Sequence, residues 1–362
     1  MNFHVPSRLA LGLRHLASHR RAFDNILSND QTPVMQQMRV LVVRSFDPFQ
    51  AEIALRDIPT PGPDELRIRV HAAGVSFVDV LTARGHYQIK PELPYVPGSE
   101  CAGVVEATGA HIRDFRPGQR VCALSWNGVY AERLCVKAEA VVPLPASMSF
   151  AEGAIIRVAH GTALHALAQR GRLAAAERLL VLGAGGAVGQ AAIEIGKAIG
   201  AYVIAVASSE AKRAACLTAG ADAVLASDPA GLRNALKDLL GEASPDVVFD
   251  PVGGPLTEAA FRCLGWNGRH LVVGFATGAI PSLKVNLALL KGSALVGVNL
   301  GQFVSREPEA AAANLARIMQ LYEAGRLRPR IARILPLAQS LEALDLAASG
   351  AASGRIVLEL CG

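Results

Sequence analysis

The stretch Leu179-Leu180-Val181-Leu182-Gly183-Ala184-Gly185-Gly186-Ala187-Val188-Gly189-Gln190 leaves this chain the fewest folding options. Four consecutive apolar residues predict a strand buried on both faces, as in a parallel sheet. The glycines that follow predict a tight turn. Val188, Ala192, Ile195 and Ile199 then recur at helical spacing, with Gly200 as a stop. Strand, glycine turn and helix start, in that order, make a phosphate-binding turn. Residues without Cβ let backbone N–H groups approach a pyrophosphate, and the helix N-terminus adds partial positive charge. A lone glycine cluster would be weak evidence, but here the flanking strand and helix are both present.

Strands and helices alternate after this turn. Tyr202–Val206, Ala223–Leu225, Val247–Asp250, Leu271–Phe275 and Leu295–Asn299 read as strands, with Glu210–Ala219 and Leu232–Leu240 as helices between them. Such alternation predicts a doubly wound parallel sheet. Upstream, from Met38 to about Ser149, the pattern is β. Leu66–Ala72 alternates apolar and polar residues, further strands fit Gly103–Ala107, Arg120–Leu124 and Tyr130–Val136, and Pro and Gly punctuate the run. Ser149-Phe150-Ala151-Glu152 matches a capping box, and a second helix is expected over Thr162–Gln169. A helix over Ala310–Ala324 and a strand over Arg355–Leu360 are expected to return to the first domain. A chain of 362 residues exceeds one ordinary core, so two domains are expected.

Hydrophobic residues make up 51% and charged residues 19%, which suits a soluble enzyme. No apolar run reaches membrane-spanning length, since Gln190, Glu194 and Lys197 break the longest. The net charge is +5, of which residues 1–37 carry +2, and no Lys/Arg run occurs, so nucleic acid is not expected as a main partner. Cys101, Cys122, Cys135, Cys216, Cys263 and Cys361 form no CxxC and have no His at metal-ligand spacing. They read as reduced, mostly buried residues of a cytoplasmic-type protein. His165, set among Ala163, Leu164, Ala166 and Leu167, reads as packed. Residues 1–37 read as a disordered extension or an early start, with a mitochondrial-type leader as the alternative.

The order of Gly74–Leu81, Leu93–Glu100, Gly161–Leu167, the glycine turn, Asp250-Pro251-Val252-Gly253-Gly254 and Val272-Val273-Gly274-Phe275 resembles the medium-chain dehydrogenase/reductase superfamily. More narrowly, it resembles the zinc-independent quinone oxidoreductase branch. The resemblance spans Met38 to Leu360. It implies a GroES-like catalytic domain over 38–160 and 301–362 and a Rossmann domain over 161–300. It also implies a homodimer, no flavin, and hydride transfer from NADPH to a quinone, or to an enone or enoyl thioester, in the cleft between domains. A protein that binds NADPH without turnover is the alternative outside enzymes.

Zinc-dependent relatives place Cys in the first of these stretches and Gly-His-Glu in the second. Here those positions are Phe77 and Gly98-Ser99-Glu100, so neither thiolate nor imidazole is available and no zinc is expected. The strand ending at Val206 runs into Ala207-Ser208-Ser209-Glu210-Ala211-Lys212-Arg213. No acid stands at 207 or 208 to take a ribose hydroxyl, and Ser208, Ser209, Lys212 and Arg213 can surround a 2′-phosphate, so NADPH is expected over NADH. Glu210 remains the alternative ribose ligand. Gly183, Gly186, Ala187, Val188 and Gly189 are the expected pyrophosphate-binding positions, and the resemblance adds Phe275. It also implies Tyr87 as proton donor or orienting group, Ser76 as a second hydrogen-bonding group, and Asp79 as a residue that holds the loop. Arg157, Ala159, Asn299 and Leu300 depart from the Pro, Thr and aromatic residues common in close relatives, which puts the acceptor in question.

Overall fold

The computed structural model describes Met1, residues 36–88 and residues 90–361. Contacts divide the chain into Met1–Gln37 and Met38–Gly362, and the architecture belongs to the second unit. The extension or leader expected over 1–37 lies, apart from Met1, Gln36 and Gln37, outside the described residues.

Strands β1 (Gln37–Phe46) and β2 (Phe49–Asp57) form a two-stranded sheet. The strands β3 (Glu65–Val75), β4 (Glu100–Thr108), β5 (Arg120–Leu124), β6 (Arg133–Lys137) and β7 (Val141–Pro143) build most of a seven-stranded sheet. The six strands β8 (Arg178–Val181), β9 (Tyr202–Ala207), β10 (Ala223–Ala226), β11 (Val247–Asp250), β12 (Arg269–Val272) and β13 (Ala294–Gly297) form a separate sheet. All its pairings are parallel, in the order β10-β9-β8-β11-β12-β13. The order reverses between β8 and β11, which is where a doubly wound sheet opens a crevice for its ligand. The chain then returns to the seven-stranded sheet with β14 (Ile331–Pro336) and β15 (Arg355–Glu359).

The apolar run of β8 is explained by two cores. Leu179 and Val181 face one, together with Val203, Ala205, Val247 and Phe249. Leu180 and Leu182 face the other, with Ile204, Val206 and Val248. Each such side chain, taken fully out of water, contributes about 1.5–3 kcal/mol. The first core continues past the sheet to Ala72, Ala102 and Cys122 of the antiparallel sheet, and the Ile156–Leu164 helix lies within it. One apolar layer therefore joins the two sheets.

β3 organises the antiparallel sheet. One edge pairs with β4 along Leu66–Gly74. The other is divided: β6 takes Glu65–Arg69 and β15 takes Ala72–Val75. β15 thus joins the antiparallel sheet beside β3.

Local differences from the sequence reading have physical causes. The capping box at Ser149 forms, with Glu152 N donating to Ser149 Oγ at 3.2 Å and Ser149 N to Glu152 Oε2 at 3.0 Å, but its helix is only Phe150–Gly153. The next helix begins at Ile156, ahead of the expected Thr162, behind an N-cap, Ile155, that offers no side-chain bond. It continues as a π-helical turn over His165–Arg170. β12 ends at Val272, short of Phe275, because the N–H groups of Val273 and Gly274 both turn to Asp250 O. Among the described residues no helix is long and apolar enough to cross a membrane.

Candidate active site

Gly183, at the end of β8, has φ +56°, and a Cβ there would collide with Val252 Cγ2. Its carbonyl accepts from Gly186 N at 3.0 Å, which closes the turn. Gly189 is equally constrained, since a Cβ would meet Gly183 O at 2.5 Å and Ala184 Cα at 2.7 Å. Gly186 is different. It is exposed, and its added Cβ would find only Gly183 O, at 3.4 Å. The first two glycines permit the turn, and the third leaves its mouth open.

Gly186 is the N-cap of the Ala187–Ile199 helix, and no side chain caps that helix. Elsewhere serines do this work: Ser76, Ser149 and Ser209 each accept a first-turn N–H. The first-turn donors of Ala187, Val188 and Gly189 have no acceptor within the helix. With the helix dipole behind them they suit an anion, so the residues present fit the pyrophosphate of a dinucleotide. Gly200 ends the helix with φ +100°, as expected of a left-handed cap.

The other expected cofactor positions gather at the same end of the sheet. Ser208 and Ser209 are exposed, and Ser209 Oγ accepts from Lys212 N at 3.3 Å. The Lys212 stem covers the glycine turn so closely that a Cβ on Gly185 would lie 2.8 Å from its Cβ, Cγ and Cδ. Its ammonium donates to Gly350 O at 2.7 Å, at the C-cap of the Ser340–Ser349 helix. Arg213 Nη1 donates to Ala207 O at 3.2 Å. Phe275 lies over Gly253, whose Cβ would come 2.9 Å from Phe275 Cδ1. Gly183, Val252, Gly253 and Phe275 are therefore neighbours in space.

Asp250 holds this corner together, a role its place at the end of β11 did not reveal. Oδ1 accepts from the N–H groups of Val252 and Gly253, each at 2.9 Å. Oδ2 accepts from Thr257 Oγ1 at 2.6 Å and lies 3.0 Å from His270 Nε2. Burial works to raise this carboxyl, but His270, Thr257 and the Gly253 N–H outweigh it and hold it below the ordinary range.

Ser76 and Tyr87 belong to the antiparallel side. They flank the Phe77–Ala83 helix, one at its N-cap and the other four residues past its end, folded back so that its N–H meets Leu81 O. Ser76 is buried and employed as a cap: its Oγ accepts from Asp79 N at 3.1 Å, and its N–H donates to Asp79 Oδ2 at 2.7 Å. Asp79 holds the loop, as expected. Burial raises its pKa, against hydrogen bonds from Ser76 and the charge of Arg355. Tyr87 is half-buried, and its N–H donates to Leu81 O at 3.2 Å.

Behind Ser76 lies an ion pair whose partners are 255 residues apart in the chain. Arg355 Nη2 bonds Glu100 Oε1, and Glu100 Oε2 accepts from Val158 N at 2.9 Å. Gly74 is small because a Cβ there would collide with Ala154 O and sit 3.1 Å from the Arg355 guanidinium. Gly98 turns with φ +100° beneath the ring of Tyr130, whose hydroxyl donates to Gly74 O at 3.3 Å. The Gly98-Ser99-Glu100 segment thus serves packing and an ion pair. Among the described residues no group of three or more His, Cys, Asp or Glu is placed to hold a metal. All six cysteines are free, and burial pushes the Cys101 thiol up to about 12 and Cys122 to about 11, which leaves them unreactive.

Arg157, one of the departures, and the nearby His160 have structural employment. Arg157 donates to Ala140 O, and His160 Nε2 lies 2.8 Å from Glu194 Oε2, so both side chains fasten the Ile156–Leu164 helix to its neighbours. His165 is packed as expected, stacked on Phe303 with centroids 3.9 Å apart.

A family model described as "Zinc-binding dehydrogenase" matches residues 187–317, and one described as "Alcohol dehydrogenase GroES-like domain" matches 62–146. The quinone oxidoreductase of Sus scrofa is 34% identical over 314 residues, covering 86% of this chain and 93% of its own. Quinone oxidoreductase-like protein 2 of Mus musculus is 33% identical over 310 residues, 85% of this chain and 88% of its own. The solved quinone oxidoreductase of Thermus thermophilus, studied also in complex with NADPH, superimposes with a TM-score of 0.77 at 28% identity. That match covers 89% of this chain and all of the other.

Proposed function

The chain belongs to the zinc-independent quinone oxidoreductase branch of the medium-chain dehydrogenase/reductase superfamily, and from this premise we propose that it is an NADPH-dependent reductase whose acceptor is a quinone. One observation carries the reading: an uncapped helix follows a turn of constrained glycines, and Lys212 lies directly across that turn. A relative solved with NADPH supports the same cofactor. When bound, NADPH supplies the hydride.

In this reading the backbone of Gly183, Gly186, Ala187, Val188 and Gly189 receives the pyrophosphate. Ser208, Ser209, Lys212 and Arg213 surround the 2′-phosphate. Lys212 must share or release Gly350 O to do so, and a charge-assisted contact to phosphate is the stronger of the two bonds. Phe275 shields the nicotinamide side of the crevice. Tyr87 donates its Oη hydrogen to the acceptor oxygen, and Ser76 fixes the backbone that borders the acceptor. The proposal includes the division at 160/161 and 300/301, a homodimer, and activity without zinc, because Phe77 and Ser99 offer no ligand atoms of the kind zinc takes.

Stopped-flow oxidation of NADPH by chelator-treated protein tests this against quinones, enones and enoyl thioesters. Fastest turnover with a quinone is the expected result. Preference for an enone or an enoyl thioester would move the reading to C=C reduction. Tight NADPH binding with no consumption across the set would make the protein a cofactor-binding module.

A further inference from the structure

We infer that Trp126 is a specificity-determining residue, the flat wall on which a planar ring-shaped acceptor stacks; this rests on the acceptor reading above. Trp126 stands in the short loop between β5 and β6, which is pinned to the segment before Glu100 at two points and braced within itself at a third. Ser125 N donates to Ser99 O at 2.8 Å, Ser125 Oγ to Asn127 O at 2.6 Å, and Gly128 N to Val96 O at 2.7 Å. The backbone under the indole is fixed to the segment that leads into Glu100.

From there the indole crosses to a different part of the chain. It lies beside Gly301, where a Cβ would be in ordinary van der Waals contact, 3.4 Å from Trp126 Cζ2. The neighbouring Leu300 covers Gly161, whose Cβ would be 3.7 Å from Leu300 Cδ1. Gly161 belongs to the Ile156–Leu164 helix, and Val158 of that helix returns the connection to Glu100. Four segments far apart in sequence close a ring: Ser99-Glu100, Trp126, Leu300-Gly301 and Val158–Gly161. Trp126 spans the ring's widest sequence separation and still leaves 52% of its surface open.

An indole in such a place has a reason to face outward. Asn299 is employed as a cap, accepting from Gln302 N at 2.9 Å, and Leu300 is turned onto Gly161. Neither position supplies an aromatic face. Trp126 brings one to the same place from the antiparallel sheet. A rigid indole offers a large stacking surface at little entropic cost, and it favours flat conjugated rings over small or puckered acceptors.

The test compares 9,10-phenanthrenequinone with a non-aromatic cyclic enone in wild type, W126F and W126A. W126A should raise KM for phenanthrenequinone by about tenfold, the equivalent of one lost stacking contact, with kcat and NADPH affinity little changed. W126F should recover most of the loss, and the enone should be nearly indifferent. An independent reading uses W266F, in which Trp126 is the sole tryptophan. Its fluorescence should be quenched saturably by phenanthrenequinone in the presence of NADP⁺. An unchanged KM in W126A, an equal loss for both acceptors, or purely linear quenching would overturn the inference. Absence of turnover in wild type would count against the function proposed above, and the quenching titration would still decide the role of Trp126.

Discussion

The glycine turn of the parallel sheet and the Ser76–Tyr87 corner of the antiparallel sheet are built in opposite ways. The turn works with backbone, and all it needs lies between Leu179 and Gly200. Its N–H donors are left without side-chain partners because Gly183 and Gly189 let the chain fold under them, Gly186 adds nothing at the mouth, and no serine caps the helix. The corner works with side chains, and it is assembled from Ser76, Glu100, Tyr130 and Arg355, which no stretch of sequence brings together. A site made of backbone is written locally. A site made of side chains on an antiparallel sheet depends on pairings far along the chain.

The sharpest way to break this comparison is to add atoms to the turn. Gly189→Val would drive a side chain into Gly183 O and Ala184 Cα, so the folded protein should be lost. Gly186→Asp meets no such obstacle. Its melting temperature should stay close to wild type, while its carboxylate repels the pyrophosphate and NADPH affinity falls by about a hundredfold or more. Thermal melts with calorimetric titration check both, and unchanged NADPH affinity in Gly186→Asp would remove the cofactor from this turn.

A smaller effect is expected where side chains supplement the backbone. Lys212→Ala/Arg213→Ala should weaken NADPH by roughly ten- to a hundredfold and leave NADH nearly unchanged, since a partly shielded charge-assisted contact is worth about 1.5–3 kcal/mol. The ratio of the two dissociation constants, in wild type and variant, is the quantity to measure. An equal fall in both would make these residues supports of the domain, and Glu210 would then be the residue to test for ribose binding.

The smallest expected effect separates two buried aspartates, one in each region. Asp250 is held below its ordinary value of 3.8, so its contribution is present above that value and is lost as pH falls through the lower folded one. Asp79 is raised above 3.8, so its folded form keeps the proton longer and stability declines as pH rises from 3.8 through the raised value. Asp250→Asn should cost about 1–2 kcal/mol at neutral pH and less in acid. Asp79→Asn should gain on wild type as pH rises. Denaturant titrations from about pH 2 to pH 8 would show opposite slopes for the two differences, Asp250 below about pH 4 and Asp79 above it, and slopes of one sign would erase the contrast.

How much could be read beforehand follows the same division. The parallel strands, the turn and the Leu232–Leu240 helix declare themselves through apolar runs and helical periodicity. Ile156 did not announce a helix, because Ile155 carries no capping group. The apolar run through Phe275 outlasts β12, because the bonds that stop the strand go to Asp250 O, a partner more than twenty residues earlier. Lys212 and Arg213 were visible as cations, whereas the Gly350 carbonyl that holds Lys212 lies 138 residues away and is backbone. Nothing in the sequence marks Trp126 as a neighbour of Gly301, which has no side chain to signal a contact.

The divided edge of β3 has a consequence for how the chain reaches this structure. Ala72–Val75 waits for β15, about 280 residues downstream, and contacts of such separation form late because a long loop must close first. Until then that edge stays open to strangers, Arg355 is absent, and Glu100 is a buried carboxylate without its cation. The six-stranded sheet completes its strand pairing at Gly297, although Ile318, Leu321 and Tyr322 must still join its core. During synthesis the parallel sheet can therefore pair its strands first. The half that would meet the acceptor is the one a chaperone has reason to hold.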